Sequence, residues 1–385
     1  MSPLSRKEYF KTIKTRYKES SVRIKSAILD EFCANCAYSR KYAIRKLNKP
    51  IRRNPDSFIY KKPGPKSKYD HPQIKKPLEA IWRAANLPCS KRLKAILPSW
   101  IPFYQTEFGV LDSQVIGALN HISPSTIDRI MRIARRSFKG RGRCATKPGL
   151  LLKSHIPIKT DQWDEKKPGF IEADTVAHCG ASLEGSFVWT LDCVDIATGW
   201  TEQRAVFGKG HPQMIEQLKN IEASLPFQIL GFDSDNGSEF LNRAILEYFL
   251  NRRKPVQFTR SRAYKKDDNA HIGGKNWTHV RQWLGYRRFE NPRIVMLLND
   301  LYTTEWRLFQ NFFLPSVKLT AKKRVGSKIF KVHDNPKTPY QRILESKNVS
   351  SKIKEELQEQ MKGLNPFRLR KTIDEKIARI LKLAK

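Results

Sequence analysis

Residues 170–179 (FIEADTVAHC), 232–240 (FDSDNGSEF) and 264–277 (YKKDDNAHIGGKNW) each set acidic or metal-capable side chains beside a strand-like or helical run. In the first, Phe170, Ile171 and Ala173 alternate with Glu172 and Asp174. That period predicts a half-buried strand with both carboxylates on one face. A second apolar run at 187–194 follows the turn pair Glu184-Gly185, which predicts an antiparallel hairpin, and a third strand begins near Trp200. Residues 227–232 have the length of a buried strand and lead into Asp233-Ser-Asp-Asn-Gly237, so Asp235 falls at a strand end. Gly237 permits a sharp turn, and Ser238 can cap a helix carrying Phe240, Leu241, Ile245, Leu246, Phe249 and Leu250 at helical spacing.

Carboxylates delivered from neighbouring strand ends can converge on one divalent cation. The chemistry that uses such a centre is phosphodiester cleavage or transfer. Two Mg2+ ions roughly 4 Å apart activate a water or a 3′ hydroxyl and stabilise the leaving oxygen. Magnesium takes oxygen ligands, chiefly carboxylates. Taken singly, Asp174 reads as a strand-end aspartate and Asp235 as a turn former. It is their joint occurrence along this strand order that points to a site.

On these motifs the segment resembles the integrase catalytic core, the RNase H-like fold of bacterial insertion-sequence transposases and retroviral integrases. IEADTVAHCG carries the first family aspartate at Asp174, DSDNGSEF the second at Asp235, and SRAYKKDDNAHIGGKNWTHVRQWLGY resembles the segment that introduces the third acid. In the bacterial transposases a Glu stands two residues after the His of DNAH. Here His271 is followed by Ile272 and Gly273, and glycine offers no carboxylate. Asp267, Asp268 and Glu290 are nearby acids in a different register, and His271 reads as a loop histidine or a metal ligand. The resemblance implies catalytic, metal-binding roles for Asp174 and Asp235, with Mg2+ (or Mn2+) as cofactor. It also implies hydrolysis at transposon ends followed by attack of the freed 3′ hydroxyl on target DNA. Lys275 and Asn276 are candidate DNA contacts beside the site, or plain helix-surface residues. Two other readings stay open: a catalytically inactive relic or regulator that binds transposon ends, and a nuclease-like metal enzyme with a substitute acid.

Composition agrees with a polyanionic partner. The 385 residues carry a formal net charge of +36, with 73 lysines and arginines spread along the chain and a pI near 10.1. Double-stranded DNA is the expected partner, bound by a homo-oligomer because transposition holds two ends together. No stretch approaches the roughly 20 apolar residues of a membrane span, and no signal-peptide core is seen, so the expected location is cytoplasmic and nucleoid-associated in a bacterium. Six cysteines with one close pair, Cys33 and Cys36, do not make a disulfide scaffold, and no further ligands nearby suggest zinc.

Working outward, Ile24, Ile28, Leu29 and Phe32 predict one helix and Ala43, Ile44 and Leu47 a second, with a turn at 33–39. The second would expose Arg40, Lys41, Arg45 and Lys46 to phosphates. Residues 48–72, with five prolines after Lys49 and a KPGPK hook at 62–66, read as a basic linker. Helical periodicity resumes at 74–136, and Ser123-Pro124 is a helix start. The break at 120–122 has helix-turn-helix proportions, with Arg129, Arg132, Arg135 and Arg136 on the second helix. KGRGR at 139–143 and the KPG at 147–149 mark a flexible boundary. Residues 277–284 and 296–313 read as apolar helices, 318–331 as a dense cationic stretch that can bind phosphate, and 353–385 as charged amphipathic helices. The expected fold class is α/β: an RNase H-like core, a mixed sheet flanked by helices, preceded by all-α helix-turn-helix units and followed by a basic C-terminal extension. The expected divisions are 1–70, 71–150, 160–315 and 316–385.

Overall fold

The computed structural model describes residues 3–48, 69–136, 165–208, 210–234, 243–260, 270–326 and 328–384. Asp235, the KPGPK hook and the KGRGR boundary lie outside the described residues. The chain divides into two compact units, Met1–Lys66 and Ser67–Lys385.

The first unit holds three helices, α1 (Pro3–Glu19), α2 (Val22–Cys36) and α3 (Arg40–Asn48). Ile28, Leu29, Phe32 and Cys36 recur at helical spacing and meet Ile13 and Tyr17 of α1 and Ala43 and Leu47 of α3 in one core. Phe32 is fully buried, with the rings of Tyr9, Phe10 and Tyr38 within 6.1 Å of its own. Ala37 ends α2 in the left-handed region at φ 55° and turns the chain into α3. Two members of the expected stripes sit outside this core: Ile24 is 54% exposed and Ile44 38%. Helix α1, which sequence periodicity left unassigned, supplies Ile13 and Tyr17 to that core.

The second unit opens with α4 (Pro72–Ala84), α5 (Ser90–Phe108), α6 (Ser113–His121), α7 (Pro124–Ile130) and α8 (Arg132–Arg136). Its centre is a five-stranded sheet of β1 (Phe170–Ala177), β2 (Val188–Asp195), β3 (Thr201–Phe207), β4 (Gly231–Ser234) and β5 (Gln257–Arg260), in the order β3-β2-β1-β4-β5. The β1–β2 and β2–β3 pairs are antiparallel; β1–β4 and β4–β5 are parallel. All eight residues of β2 are buried, as a strand covered on both faces requires. One face packs on α9 (His211–Ser224) and α10 (Arg243–Leu250) through Met214, Leu218, Ile245 and Phe249.

The other face is covered by two long helical runs. The first is continuous from α11 (Ala270–Lys275) through a π-helical segment (Asn276–Arg281) to α12 (Gln282–Leu284). The second is α13 (Arg293–Leu301) with π-helical segments at Tyr302–Trp306 and Phe309–Phe313. Of the stripe expected from spacing, Leu298, Leu301, Tyr302, Trp306, Phe309 and Phe313 are buried, while Leu297 is only half-buried. Beyond them come the hairpin of β6 (Leu319–Val325) and β7 (Lys328–His333), then α14 (Pro339–Glu345), α15 (Ser351–Lys362) and α16 (Pro366–Leu383).

One expectation needs correction. The apolar run at 227–232 enters the sheet only at its end: Leu230 N–H reaches Gly169 O at 2.8 Å, and β4 proper is Gly231–Ser234. A Cβ at Gly231 would stand 2.5 Å from the Phe170 ring lying over it, so the glycine lets that ring close down on the strand. The cationic stretch at 318–331 falls on the β6–β7 hairpin. Across the positions near 150 and 315, Trp82, Trp100, Trp306, Phe309, Ile373 and Ile380 belong to one hydrophobic core. Helix α16 is also tied to the N-terminal helices of this unit: Arg370 donates to the carbonyls of Arg83 and Ala84, and Asn365 and Arg368 bind Glu107.

Candidate functional site

Strand β1 presents Glu172 and Asp174 on the face covered by the Ala270–Leu284 run. In the ladder Asp174 lies opposite Asp192 of β2, and Asp192 opposite Gln203 of β3. Directly paired residues project to the same side of a sheet. The row Asp174–Asp192–Gln203 therefore crosses the sheet beneath the helix. Two residues earlier, a parallel row joins Glu172 to Asp233 of β4 and Thr259 of β5, whose hydroxyl donates to the Asp233 carboxylate. Ser234, where the described part of β4 ends, is registered with Ala173.

The first and third sequence motifs meet at Asp174. The Asn276 side-chain amide donates to Asp174 Oδ2 at 2.5 Å, and Thr175 N–H donates to Oδ1 at 2.7 Å. Asn276 opens the π-helical segment, a local widening that recurs at functional positions in helices. Gly273 precedes it by three residues in α11 and so lies on the same side of the helix. That is the expected position of the third acid, and the residue there brings no donor.

Lys275 is directed inward. Its ammonium donates to Gly199 O at 3.1 Å, Thr201 Oγ1 at 2.9 Å and His279 Nε2 at 3.1 Å. With Nε2 accepting, the His279 Nδ1–H donates to Thr278 Oγ1 at 2.8 Å, and Thr278 Oγ1 donates to Gly274 O at 3.0 Å. Burial and the Lys275 charge hold the His279 imidazole well below its usual range, so the ring is neutral. Burial also pushes Lys275 down and the Asp192 carboxyl up, while their mutual attraction pulls both back. Gln203 Nε2 donates to Asp192 Oδ1 at 3.0 Å; Oδ2 is buried with no hydrogen-bond partner among the described residues. The expected DNA contact by Lys275 is thus replaced by an interior one, in which the lysine pins the helix to the β2–β3 turn. Asn276 likewise spends its amide on Asp174.

Beside this cluster runs a second chain of polar groups. His178 Nε2 lies 2.8 Å from Thr190 Oγ1, which lies 2.9 Å from the Tyr302 hydroxyl. The His178 ring stacks on Phe289 with centroids 4.7 Å apart. Burial, followed by the nearby Arg281 charge, lowers its pKa to about 3. Sequence reading missed Asp192, Gln203, His178 and His279 as site neighbours. For Asp192 the only signal was its place two residues after Thr190 in an otherwise apolar strand; Gln203 in the polar run TEQR, His178 beyond the end of β1 and His279 in a helix had none.

Among the described residues no three His, Cys, Asp or Glu side chains stand close enough together to hold a metal ion. Asp174 offers the hard oxygen donors that Mg2+ prefers. Asp235, the second expected ligand, is outside the described residues, as are Asp267 and Asp268. Glu290 is paired with Arg288 at the surface and does not supply the missing acid.

The basic residues expected to meet DNA divide by their surroundings. Arg40 pairs with Asp30 and donates to Ser26 Oγ at 2.8 Å. The Lys46 ammonium stands 4.4 Å from the Tyr38 ring centroid and 5.0 Å from that of Phe10, an interior cation–π site. Lys41 and Arg45 are exposed on α3, Arg45 lying over the Tyr42 ring. Ser123 Oγ caps α7 at Thr126 N, as its sequence predicts; Arg129 and Arg132 are exposed beyond it, and Arg135 binds Asp128 and Ser90. No described helix is long and apolar enough to cross a membrane.

No family model matches the chain. Among solved structures it is similar to the HTLV-2 integrase catalytic core domain in complex with magnesium, at 14% identity over 39% of this chain and 91% of that one, with a TM-score of 0.28. The BIV integrase catalytic core gives 17% identity, 46% and 95% coverage and a TM-score of 0.28. The simian T-cell lymphotropic virus intasome gives 12%, 62% and 73%, with 0.32. Among curated proteins, the uncharacterized protein y4rM of Sinorhizobium fredii is 35% identical over 345 residues, covering 89% of this chain and 96% of its own length. The chain belongs to the family of y4rM.

Proposed function

We propose that this protein is an integrase-type DNA transposase with an RNase H-like core, which binds duplex DNA at transposon ends and acts there in strand cleavage and transfer. The observation that carries the reading is the Asn276–Asp174 bond. It brings the motif around Asp174 and the motif around Gly273, 102 positions apart in sequence, to one point on the central strand. The strand order β3-β2-β1-β4-β5, with its antiparallel half followed by a parallel half, supports the same reading. The net charge of +36 supports a nucleic-acid partner, and holding two DNA ends calls for a homo-oligomer.

In this reading Asp174 and Asp235 would hold Mg2+ or Mn2+, and the chemistry the ion would supply is activation of a water or 3′ hydroxyl and stabilisation of the leaving oxygen. The chain's own contribution is positional. Asn276 fixes one oxygen of Asp174, and Lys275 fixes the helix that bears Asn276. The exposure of Lys41, Arg45, Arg129 and Arg132 supports a role for them in meeting phosphates from helix-turn-helix units.

One observation favours a second reading. Glycine at 273 leaves the helix without a carboxylate on the side that faces Asp174, which suits a DNA-binding regulator that no longer cuts. The test compares cleavage and strand transfer on duplexes from the ends of the chain's own element, with Mg2+ and with Mn2+. The proteins are the natural chain, Gly273→Glu and Asp235→Ala. Activity in the natural chain that Asp235→Ala removes supports the enzyme. Activity only in Gly273→Glu identifies a disabled transposase. Firm, salt-sensitive binding without cutting by any of the three supports the regulator.

A further inference from the structure

The β6–β7 hairpin is a short ribbon with an unusual surface. From Lys318 to His333 it carries six lysines and arginines and no acid. Its pairing sorts the side chains onto two faces. Lys322 stands directly opposite Lys331 on one; on the other, Lys323 stands opposite Phe330 and Val325 opposite Lys328. Like charges facing each other across a strand pair repel, and a two-stranded hairpin has little stability to set against that repulsion. The second face adds an apolar cost, since Val325, Phe330 and Val332 are each more than half exposed.

The ribbon is nonetheless firmly mounted. At its base Lys318 N–H donates to Asp334 Oδ1 at 2.6 Å, and Asp334 N–H to Lys318 O at 2.9 Å. Arg342 of α14 grips Asp334 Oδ2 at 2.6 Å. The half-buried Lys318 ammonium binds the carbonyls of Ile196 and Ala197 in the β2–β3 turn. Ser316 and Lys337 exchange two backbone hydrogen bonds just below. A stem anchored at its base, with both faces of the ribbon in solvent, holds the charges in fixed places for a ligand.

We propose that this hairpin is a β-ribbon that docks in a groove of double-stranded DNA, its lysines on the flanking phosphates and Phe330 and Val332 against the groove floor. A two-stranded ribbon has the cross-section of the major groove. Charge complementarity selects a polyanion, and the interleaved apolar side chains select one whose groove offers apolar edges such as thymine methyls. The inference rests on the duplex-DNA reading above and adds a binding surface outside the Asp174 cluster.

The test measures duplex binding by the full chain across a salt series for the natural protein, a Lys322/Lys323/Lys328/Lys331→Ala variant, the same four positions changed to Arg, and Phe330→Ala. All these side chains are exposed, and thermal melting checks that the variants fold. The alanine variant is expected to bind about tenfold or more weakly near physiological salt, with the slope of log K against log salt reduced by about 0.9 for each phosphate that the ribbon no longer neutralises. The arginine variant keeps the slope, and Phe330→Ala lowers affinity without changing it. A natural protein that binds no duplex overturns the functional reading and this inference together. Normal binding with an alanine variant of unchanged slope overturns this inference alone. An equal loss on single-stranded DNA and duplex also overturns it, since a groove would then not be what the ribbon reads.

Discussion

At Asp174 the protein holds a carboxylate against an amide rather than against another acid. Asn276→Asp keeps the size, removes the donor and sets a second charge at hydrogen-bond distance from the first. It should destabilise the fold by about 1–3 kcal/mol in the absence of divalent ions. Added Mg2+ should recover part of the loss, because a cation between two carboxylates reverses the sign of their interaction; melting with and without Mg2+ measures both effects. His178 supplies a pH test. Its folded pKa, lowered to about 3 from an ordinary 6.5, means that the unfolded chain binds the proton first. The stability His178 contributes is therefore complete above pH 6.5 and is lost as pH falls towards 3. Between pH 7 and 5 that loss is about 2 kcal/mol. Asp192, with its pKa raised by burial, acts in the opposite sense over part of the same range, so the parent's pH profile alone does not isolate either group. The difference does: urea unfolding of His178→Asn should show less destabilisation between pH 7 and 5 than the parent, by about that amount. Asp174 was legible in sequence because polar and apolar residues alternate around it. Asp192 was not, since an acid in VWTLDCVD says nothing about which neighbour it faces until the β1–β2 register is known.

Elements differ in how plainly their residues announce them. Strands β1 and β2 and the stripe from Leu298 to Phe313 follow from period alone. The β6–β7 hairpin did not, because Lys322, Lys323 and Arg324 in succession conceal the period of two behind a run of charge. The π-helical segments left no sequence mark, since they arise from how the helices seat on the sheet. Two glycines put element-level packing to the test, with opposite signs. Gly274 lies within α11, and a Cβ there would meet nothing within 4 Å. Gly274→Ala should stabilise the chain by about 0.5–1 kcal/mol, the ordinary gain from replacing a helical glycine. Gly231→Ala drives a methyl into the Phe170 ring at the β1–β4 junction and should cost about 1–3 kcal/mol. Denaturant unfolding of the two variants, at unchanged slope, checks both; a neutral Gly231→Ala would mean that Phe170 moves aside freely.

For the whole molecule, the division expected near 70 falls beside the boundary between the two units, whereas one core runs across the positions near 150 and 315, and for a definite reason. Sequence shows where charge and proline accumulate, but not which apolar stripes end up against one another across 200 or more residues. The stripe of α16 looks self-contained as an amphipathic helix, yet Ile373, Ile377 and Ile380 complete the core that also holds Trp100 and Phe309. The last two helices should therefore be indispensable to the second unit rather than an appendage to it. Removing residues 346–385 exposes the partners of those three isoleucines and of Leu357. At about 1.5–3 kcal/mol for each buried aliphatic side chain, the loss is on the order of 6–12 kcal/mol. That is comparable to the whole stability of a typical domain, about 5–15 kcal/mol. The shortened chain should lose its cooperative melting transition and the near-ultraviolet signal of its packed tryptophans, while the three-helix unit Met1–Lys66, whose core contains none of these residues, keeps its helical signal. Persistence of a cooperative transition in the shortened chain would mean that the sheet and the 270–313 helices stand alone, and that the C-terminal helices are a separate module after all.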